Sequence, residues 1–214
     1  MVHALSLALW GESLALPEFP ARRELSGIGL TDWRGYARPL AAKLGYTNTF
    51  LDAEPRLDIT QPDPALHGTL DFLLASDVFE HIPPPVERAF AGAYQLLKPG
   101  GALVLSVPFT PTGATVEHFP ELFDFGLTAT PAGQRLDNVT RDGRRQTFTG
   151  LRFHGGPGFA LEMRVFSLPG LLQQLDAAGF EEIRVCEEPC EKHGIVWLQG
   201  HSQPVVARRR KMER

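Results

Sequence analysis

Only two of the 214 residues are cysteine, Cys186 and Cys190. So low a count excludes a disulfide scaffold and suits a reducing, cytoplasmic setting. Their C-x3-C spacing, with His193 close behind, offers three metal-ligating side chains. A structural zinc site needs a fourth, and no second cluster supplies one. No apolar run approaches the roughly 18 residues of a membrane span. Basic charge is also scarce. The formal net charge is −4 and the pI near 6.0, which argues against a nucleic-acid partner. The one basic cluster, "ARRRKMER" at 207–214, reads as a solvated terminus. The apolar start "MVHALSLALWGE" has neither a basic lead nor an A-x-A-like cleavage site. It reads as a short helix capping the fold and not as a signal peptide. No entry strand precedes it, which allows the chain to be a piece of a longer protein.

What is present is a hydrophobic content of 43%, enough for one sizeable core and one domain over 1–214. "ELSGIGLTD" (24–32) reads as a strand, "WRGYARPLAAKLG" (33–45) as a helix ending on Gly45 with Pro39 inside it, and "YTNTFL" (46–51) as a second strand. "LDFLLAS" (70–76) is apolar apart from Asp71 and its final serine, close to the continuous run of a parallel strand buried on both faces. In "PVERAFAGAYQLLKPGG", Val86, Phe90, Ala93, Tyr94 and Leu97 recur at helical steps, and "KPGG" should end the helix. "ALVLSVPF" (102–109) is a further buried strand. This alternation implies an α/β fold: a doubly wound, mainly parallel sheet with helices on both faces. Periodicity weakens over 110–155, which reads as an inserted loop or hairpin region, a lid over the substrate, with a turn at Asp142–Gly143. "QTFTGLRFHGGPGFALEMRVFS" reads as strand, glycine-rich turn, strand, and Ser167 caps a helix that runs to Gly179. "EEIRVCEE", "GIVWLQG" and "QPVVARR" are expected as closing strands.

In open α/β sheets, ligands bind beyond the carboxyl ends of the strands. "GIGLTD", "FLDAEPRLDIT" and "SDVFEHI" all end strands there with small or polar residues. "LDFLLASDVFEHIPPPVERAFAGAYQLLKPGGALVLSVPF" (70–109) and "FSLPGLLQQLDAAGFEEIRV" (166–185) resemble class I S-adenosylmethionine-dependent methyltransferases of the type-11-like group. The resemblance implies a Rossmann-like fold and S-adenosyl-L-methionine as cofactor. It also implies methyl transfer to a small-molecule or glycan acceptor, without a nucleic-acid or membrane partner. The family's G-x-G-x-G loop after the first strand has no clear counterpart, and "GIGLTD" is the nearest match. Losing the central first strand would leave two neighbours with unpaired backbone groups. "SGIGLTD" is therefore expected to take that central position, the fold having shed one helix–strand pair at its N-terminal part.

Site residues follow from this placement. Gly27 and Gly29 would let backbone approach the cofactor, with strand packing as their other reading. Asp32 lies beside the helix start, where it would either cap that helix or meet the cofactor. Asp52 and Glu54 stand 23 and 25 residues after Gly29, near the spacing of about 20 at which an acid takes ribose hydroxyls. The resemblance implies that Asp58 and Ile59 line the adenine, that Ser76 and Asp77 meet the methionine end, and that Glu80 lies at the mouth. His81, Glu117 and His118 are the candidate bases, with His154 a further one. The pairs Glu80–His81 and Glu117–His118 lack a spacing that fixes them on one face, so no metal is expected. "FHGGPG" is not an oxyanion loop, because no G-x-S-x-G elbow accompanies it. A second functional reading is a degenerate methyltransferase fold that binds without catalysing. Oligomeric state and acceptor are not encoded in any motif.

Overall fold

A computed structural model describes residues 1–155, 160–197 and 202–211. In chain order the elements are α1 (Val2–Trp10), β1 (Arg22–Leu30), α2 (Arg34–Lys43), β2 (Leu44–Thr49), β3 (Leu70–Ser76), α3 (Glu87–Leu96) and β4 (Leu97–Ser106). Short strands follow: β5 (Phe109–Thr110), β6 (Val116–Glu117), β7 (Asp124–Thr130), β8 (Gly133–Val139), β9 (Arg145–Phe148), β10 (Phe153–His154), β11 (Ala160–Leu161) and β12 (Arg164–Ser167). The chain closes with α4 (Leu168–Ala177), β13 (Phe180–Val185) and β14 (Val205–Arg209).

The central sheet has six strands in the order β13-β14-β4-β3-β1-β2. β2, β1, β3 and β4 run parallel, and β14 is antiparallel to both of its neighbours. Side chains alternate across each strand, so the apolar runs feed two cores. Phe72, Leu74 and Val104 pack with Ala4, Leu5, Ala37 and Leu40 of α1 and α2. Leu73, Ala75, Leu103 and Leu105 pack with Ala89, Phe90 and Ala93 of α3 and with Leu171 and Leu175 of α4. Each valine, leucine or phenylalanine among them taken fully from water stabilises the fold by about 1.5–3 kcal/mol before entropy is counted. The result is a three-layer, doubly wound Rossmann-like fold. As the sequence implies, β1 is internal, flanked by β2 and β3. Beyond β2 the chain retains only an isolated parallel bridge, Phe50 to Arg56, where a further edge strand would lie.

Several local readings need correction. α2 ends at Lys43, and Gly45 is already in β2, where an added Cβ would press on the Arg23 carbonyl. "KPGG" does not follow the helix as a cap but lies within β4. Over 110–155, β7, β8 and β9 form a three-stranded antiparallel sheet, with Asp142–Gly143 in the turn between β8 and β9. β7 is exposed along nearly its whole length, so its alternating Phe125, Leu127 and Ala129 do not face a buried core. Of "GIVWLQG", Ile195 bridges Cys190, and the last three residues lie outside the described residues, as does 156–159 of the glycine-rich turn. The Ser167 cap holds: its Oγ accepts from the Gly170 amide at 3.1 Å, and Gly179 follows α4 with φ +95°.

Candidate functional site

At the carboxyl ends of β1, β2 and β3 lies a cleft of about 350 Å³. Its walls come from Leu30 and Thr31, from Thr49–Leu51, from Leu57–Thr60 and from the segment between Val78 and Arg88. Two non-glycine residues at these strand ends take left-handed backbone, Thr31 with φ 56° and Asp77 with φ 52°. For a β-branched residue that is strained, and such strain gathers at ligand sites. Asp58 folds onto its own loop: Oδ1 accepts from the Thr60 amide at 2.9 Å and its hydroxyl at 2.7 Å. The loop rests on α3 at Gly92, where any Cβ would collide with the Ile59 carbonyl.

The sequence-assigned cofactor residues divide. Asp58 and Ile59 line the cleft. Asp52 and Glu54 are exposed beyond β2, and Glu54 accepts from the Arg56 amide at 3.1 Å. Asp77 stands exposed at the end of β3, near Ser76 and Ser106. Gly27 and Gly29 lie inside β1. The space of their missing Cβ atoms is filled by Phe72 in one case and by Tyr46 and Asp32 in the other. Asp32 is 4% exposed. It accepts from the Tyr36 and Tyr46 hydroxyls, both at 2.6 Å, while Asn48 brackets its backbone with two 2.8 Å bonds. Burial raises the Asp32 carboxyl above its ordinary range against the pull of those hydroxyls, and burial beside Asp32 holds both tyrosines well above theirs.

A second polar cluster adjoins the cleft through His81, which lines it. The turn Phe79–His81 is stapled to the chain around β11 and β12. Met163 N donates to the Glu80 carbonyl at 2.8 Å, Arg164 Nη1 to the Phe79 carbonyl at 2.7 Å, and His81 Nδ1 lies 2.9 Å from the Leu161 carbonyl. Arg164, its side chain fully buried, also donates through Nε to Glu117 at 2.6 Å. Glu162 joins two histidines, His118 Nε2 at 2.9 Å and His154 Nε2 at 3.0 Å. The His81 and His154 rings meet edge to face at 4.6 Å. Glu80 is 1% exposed, and neither carboxylate oxygen has a hydrogen-bond partner. Burial pushes its carboxyl up to about 8 and lowers His81. Burial alone would raise Glu162, but its two histidine bonds outweigh it and hold the group low.

The three sequence-assigned bases therefore fall in one cluster: His81 directly, His118 through Glu162, and Glu117 through Arg164. His154 joins them. Glu162 and Arg164 were not singled out. The signal was there: two charged residues inside the apolar stretch "ALEMRVFS" are costly to bury unless paired.

A mainly parallel α/β sheet with a cleft over the carboxyl ends of its strands is the architecture of the class I S-adenosylmethionine-dependent methyltransferases, one that other Rossmann-like proteins share. The family model described as a methyltransferase domain matches residues 34–185, more than half of the chain, and the chain belongs to that family. Solved structures share the fold. A Mesorhizobium loti S-adenosylmethionine-dependent methyltransferase aligns over 96% of this chain and 100% of its own, with 18% identity and a TM-score of 0.54. The Burkholderia thailandensis 1,6-didemethyltoxoflavin-N1-methyltransferase, bound to 1,6-didemethyltoxoflavin and S-adenosylhomocysteine, aligns over 88% and 72%, with 18% identity and a TM-score of 0.50. Haemonchus contortus phosphoethanolamine N-methyltransferase 2, in complex with S-adenosyl-L-methionine, aligns over 92% and 51%, with 13% identity and a TM-score of 0.50. No curated protein matches the chain. Among the described residues no helix is long and apolar enough to cross a membrane.

Proposed function

We propose that the chain binds S-adenosyl-L-methionine in the 350 Å³ cleft and methylates a small molecule, a glycan unit included, that enters beside His81. The cleft fits the cofactor. Its volume falls within the roughly 300–1,000 Å³ of small-ligand sites, and its apolar walls at Leu57, Ile59 and Ile82 carry a polar group at Asp58. The fit differs from that of a glycine-loop enzyme, because Asp32 and Tyr46 fill the space over Gly29. The cofactor would lie over Thr31 and Thr49. Asp58 and Ile59 would hold the adenine, Asp52 or Glu54 the ribose, and Ser76 and Asp77 the amino-acid end. When bound, the cofactor supplies a methyl group on a good leaving group, so alignment is most of what the protein must add.

The carrying observation is that His81 belongs to both the cleft and the histidine–carboxylate cluster. The acceptor's reacting atom would sit next to His81, and the proton of an O–H or N–H acceptor would pass into the cluster. There His118 donates through Nε2 to Glu162. Glu117 fixes Arg164, which in turn fixes the 79–81 turn. The 110–155 insertion, which contributes His118 and His154, would form the acceptor lid of a single domain. The unpaired thiols of Cys186 and Cys190 suit a reducing cytoplasm. Titrating S-adenosylhomocysteine while following melting temperature tests the reading. At 100 times Kd the ligand should stabilise by about 2.7 kcal/mol, a rise of roughly 5–10 °C for a chain of this size. Asp58→Ala should lose most of the rise. An unchanged melting temperature at millimolar ligand would sink the proposal.

A further inference from the structure

The unpartnered Glu80 carboxylate faces two imidazole nitrogens. His81 Nε2 and His154 Nδ1 each lie 3.8 Å from Glu80 Oε1, and the three donor atoms all fall within 4.8 Å of one another. The outer nitrogens fix the tautomers. His81 Nδ1 faces the Leu161 carbonyl, an acceptor only, so it carries the hydrogen. His154 Nε2 likewise faces the Glu162 carboxylate. In the neutral rings, both inner nitrogens therefore present lone pairs to a buried carboxylate. With Glu80 ionised, three acceptors converge on one point with no donor between them among the described residues, a cluster that needs a proton or a cation to hold it together.

We propose that Glu80 Oε1, His81 Nε2 and His154 Nδ1 bind one divalent first-row transition-metal ion. Two imidazoles and a carboxylate suit zinc, cobalt, manganese or iron better than magnesium or calcium, which favour all-oxygen sites. Donors around a tetrahedral ion at about 2.0–2.1 Å stand roughly 3.4 Å apart, so the two imidazoles need move less than about 1 Å toward Glu80 to close on it. The surroundings match what metal-bound histidines require. Each donates its other N–H to a carbonyl or carboxylate, which fixes the ring and raises its basicity. Glu162 is in turn held by His118. Glu80 and Glu162 supply negative charge, and the buried cation Arg164 directs Nε to Glu117 and Nη1 to the Phe79 carbonyl, which leaves Nη2 without a partner among the described residues. The His154 side chain is 37% exposed, which gives an ion a path in and leaves positions open for oxygen ligands. On the methyl-transfer reading one open position beside His81 takes an acceptor hydroxyl, but the ion site stands without that reading.

The test uses the full chain, stripped with EDTA and reloaded with cobalt(II) or zinc(II) alone. One cobalt per chain should remain after desalting, with the visible absorption of a nitrogen- and oxygen-ligated ion and a melting temperature several degrees above that in EDTA. Glu80→Gln and His154→Ala should each weaken binding at least tenfold. Glu162→Gln, which loosens a ligand without touching the ion, should weaken it by about 10–100-fold. Cys190→Ser should leave it unchanged, which excludes the Cys190 thiol as a holder. His154→Ala alters a partly exposed side chain and decides the matter even if a change at Glu80 impairs folding. No cobalt retained by the parent chain, or equal retention by Glu80→Gln and His154→Ala, would overturn the site. S-adenosylhomocysteine binding measured in EDTA separates the two proposals. Its persistence without cobalt retention sinks the ion site alone, and its absence with cobalt retained sinks the cofactor reading alone.

Discussion

Two carboxylates are buried at the ligand edge of this sheet, and they are treated in opposite ways. Asp32, 4% exposed, accepts a hydroxyl on each oxygen and has its backbone bracketed by Asn48. Glu80, 1% exposed, has no partner on either oxygen and looks onto two imidazole lone pairs. A buried acid with every position filled is part of the fabric. A buried acid left empty is a cost that the fold bears for something else. The space over Gly29 is thus filled by Asp32 and Tyr46, while the chemistry proposed above lies at the 79–81 turn and its insertion partners.

Four measurements sharpen or break that contrast. Asp32→Ala should destabilise the chain by about 2–4 kcal/mol, since two buried tyrosine hydroxyls lose their acceptor and a small cavity opens. Urea unfolding midpoints would show it, and a loss below about 1 kcal/mol would mean that Asp32 is not structural. Tyr46→Phe removes one of the two donors and should cost about 1–2 kcal/mol by the same measurement. Glu80→Gln, in metal-free buffer, should be neutral or stabilising by up to about 1 kcal/mol, because the amide gives the facing imidazoles a donor in place of an unpaired acid. A substantial loss there would give Glu80 a fabric role like that of Asp32.

The smallest effect is on pH dependence. The Asp32 carboxyl is raised in the folded chain, chiefly by burial. The folded state therefore holds this proton more tightly than the unfolded state. Its contribution is complete below the ordinary carboxylate range and is lost as pH climbs from about 4 toward the raised native value. Asp32→Asn should flatten the fall in stability over that interval by at most about 1.4 kcal/mol per pH unit. An unaltered slope in denaturant titrations at several pH values would show that Asp32 ionises normally.

The sheet could be read from the sequence because strands such as Leu70–Ser76 are apolar on both faces and the helices repeat at helical steps. The placement of "SGIGLTD" at the centre followed from backbone pairing alone. β7 does alternate, with Phe125, Leu127 and Ala129 between polar or small residues, but it is exposed on both faces, so no buried core sets it apart. The boundary at Gly45 was misplaced because a glycine near a helix end suggests a cap, whereas here it relieves a close approach to the Arg23 carbonyl. For the site, Glu80 and His81 were visible as polar residues where a strand emerges. Their partners were not, because His81 meets Leu161 across 80 positions of chain, and spacing rules see only neighbours on one element.

Gly92 has a consequence of another kind. The loop carrying Asp58 and Ile59 lies on α3 only because that helix has a bare backbone where the Ile59 carbonyl arrives. If the cleft holds the cofactor as proposed, affinity for it would be set from a position that never meets it. A side chain one methyl group larger would lift one wall of the cleft from the other, a dial that natural variation can turn without altering any residue of the chemistry.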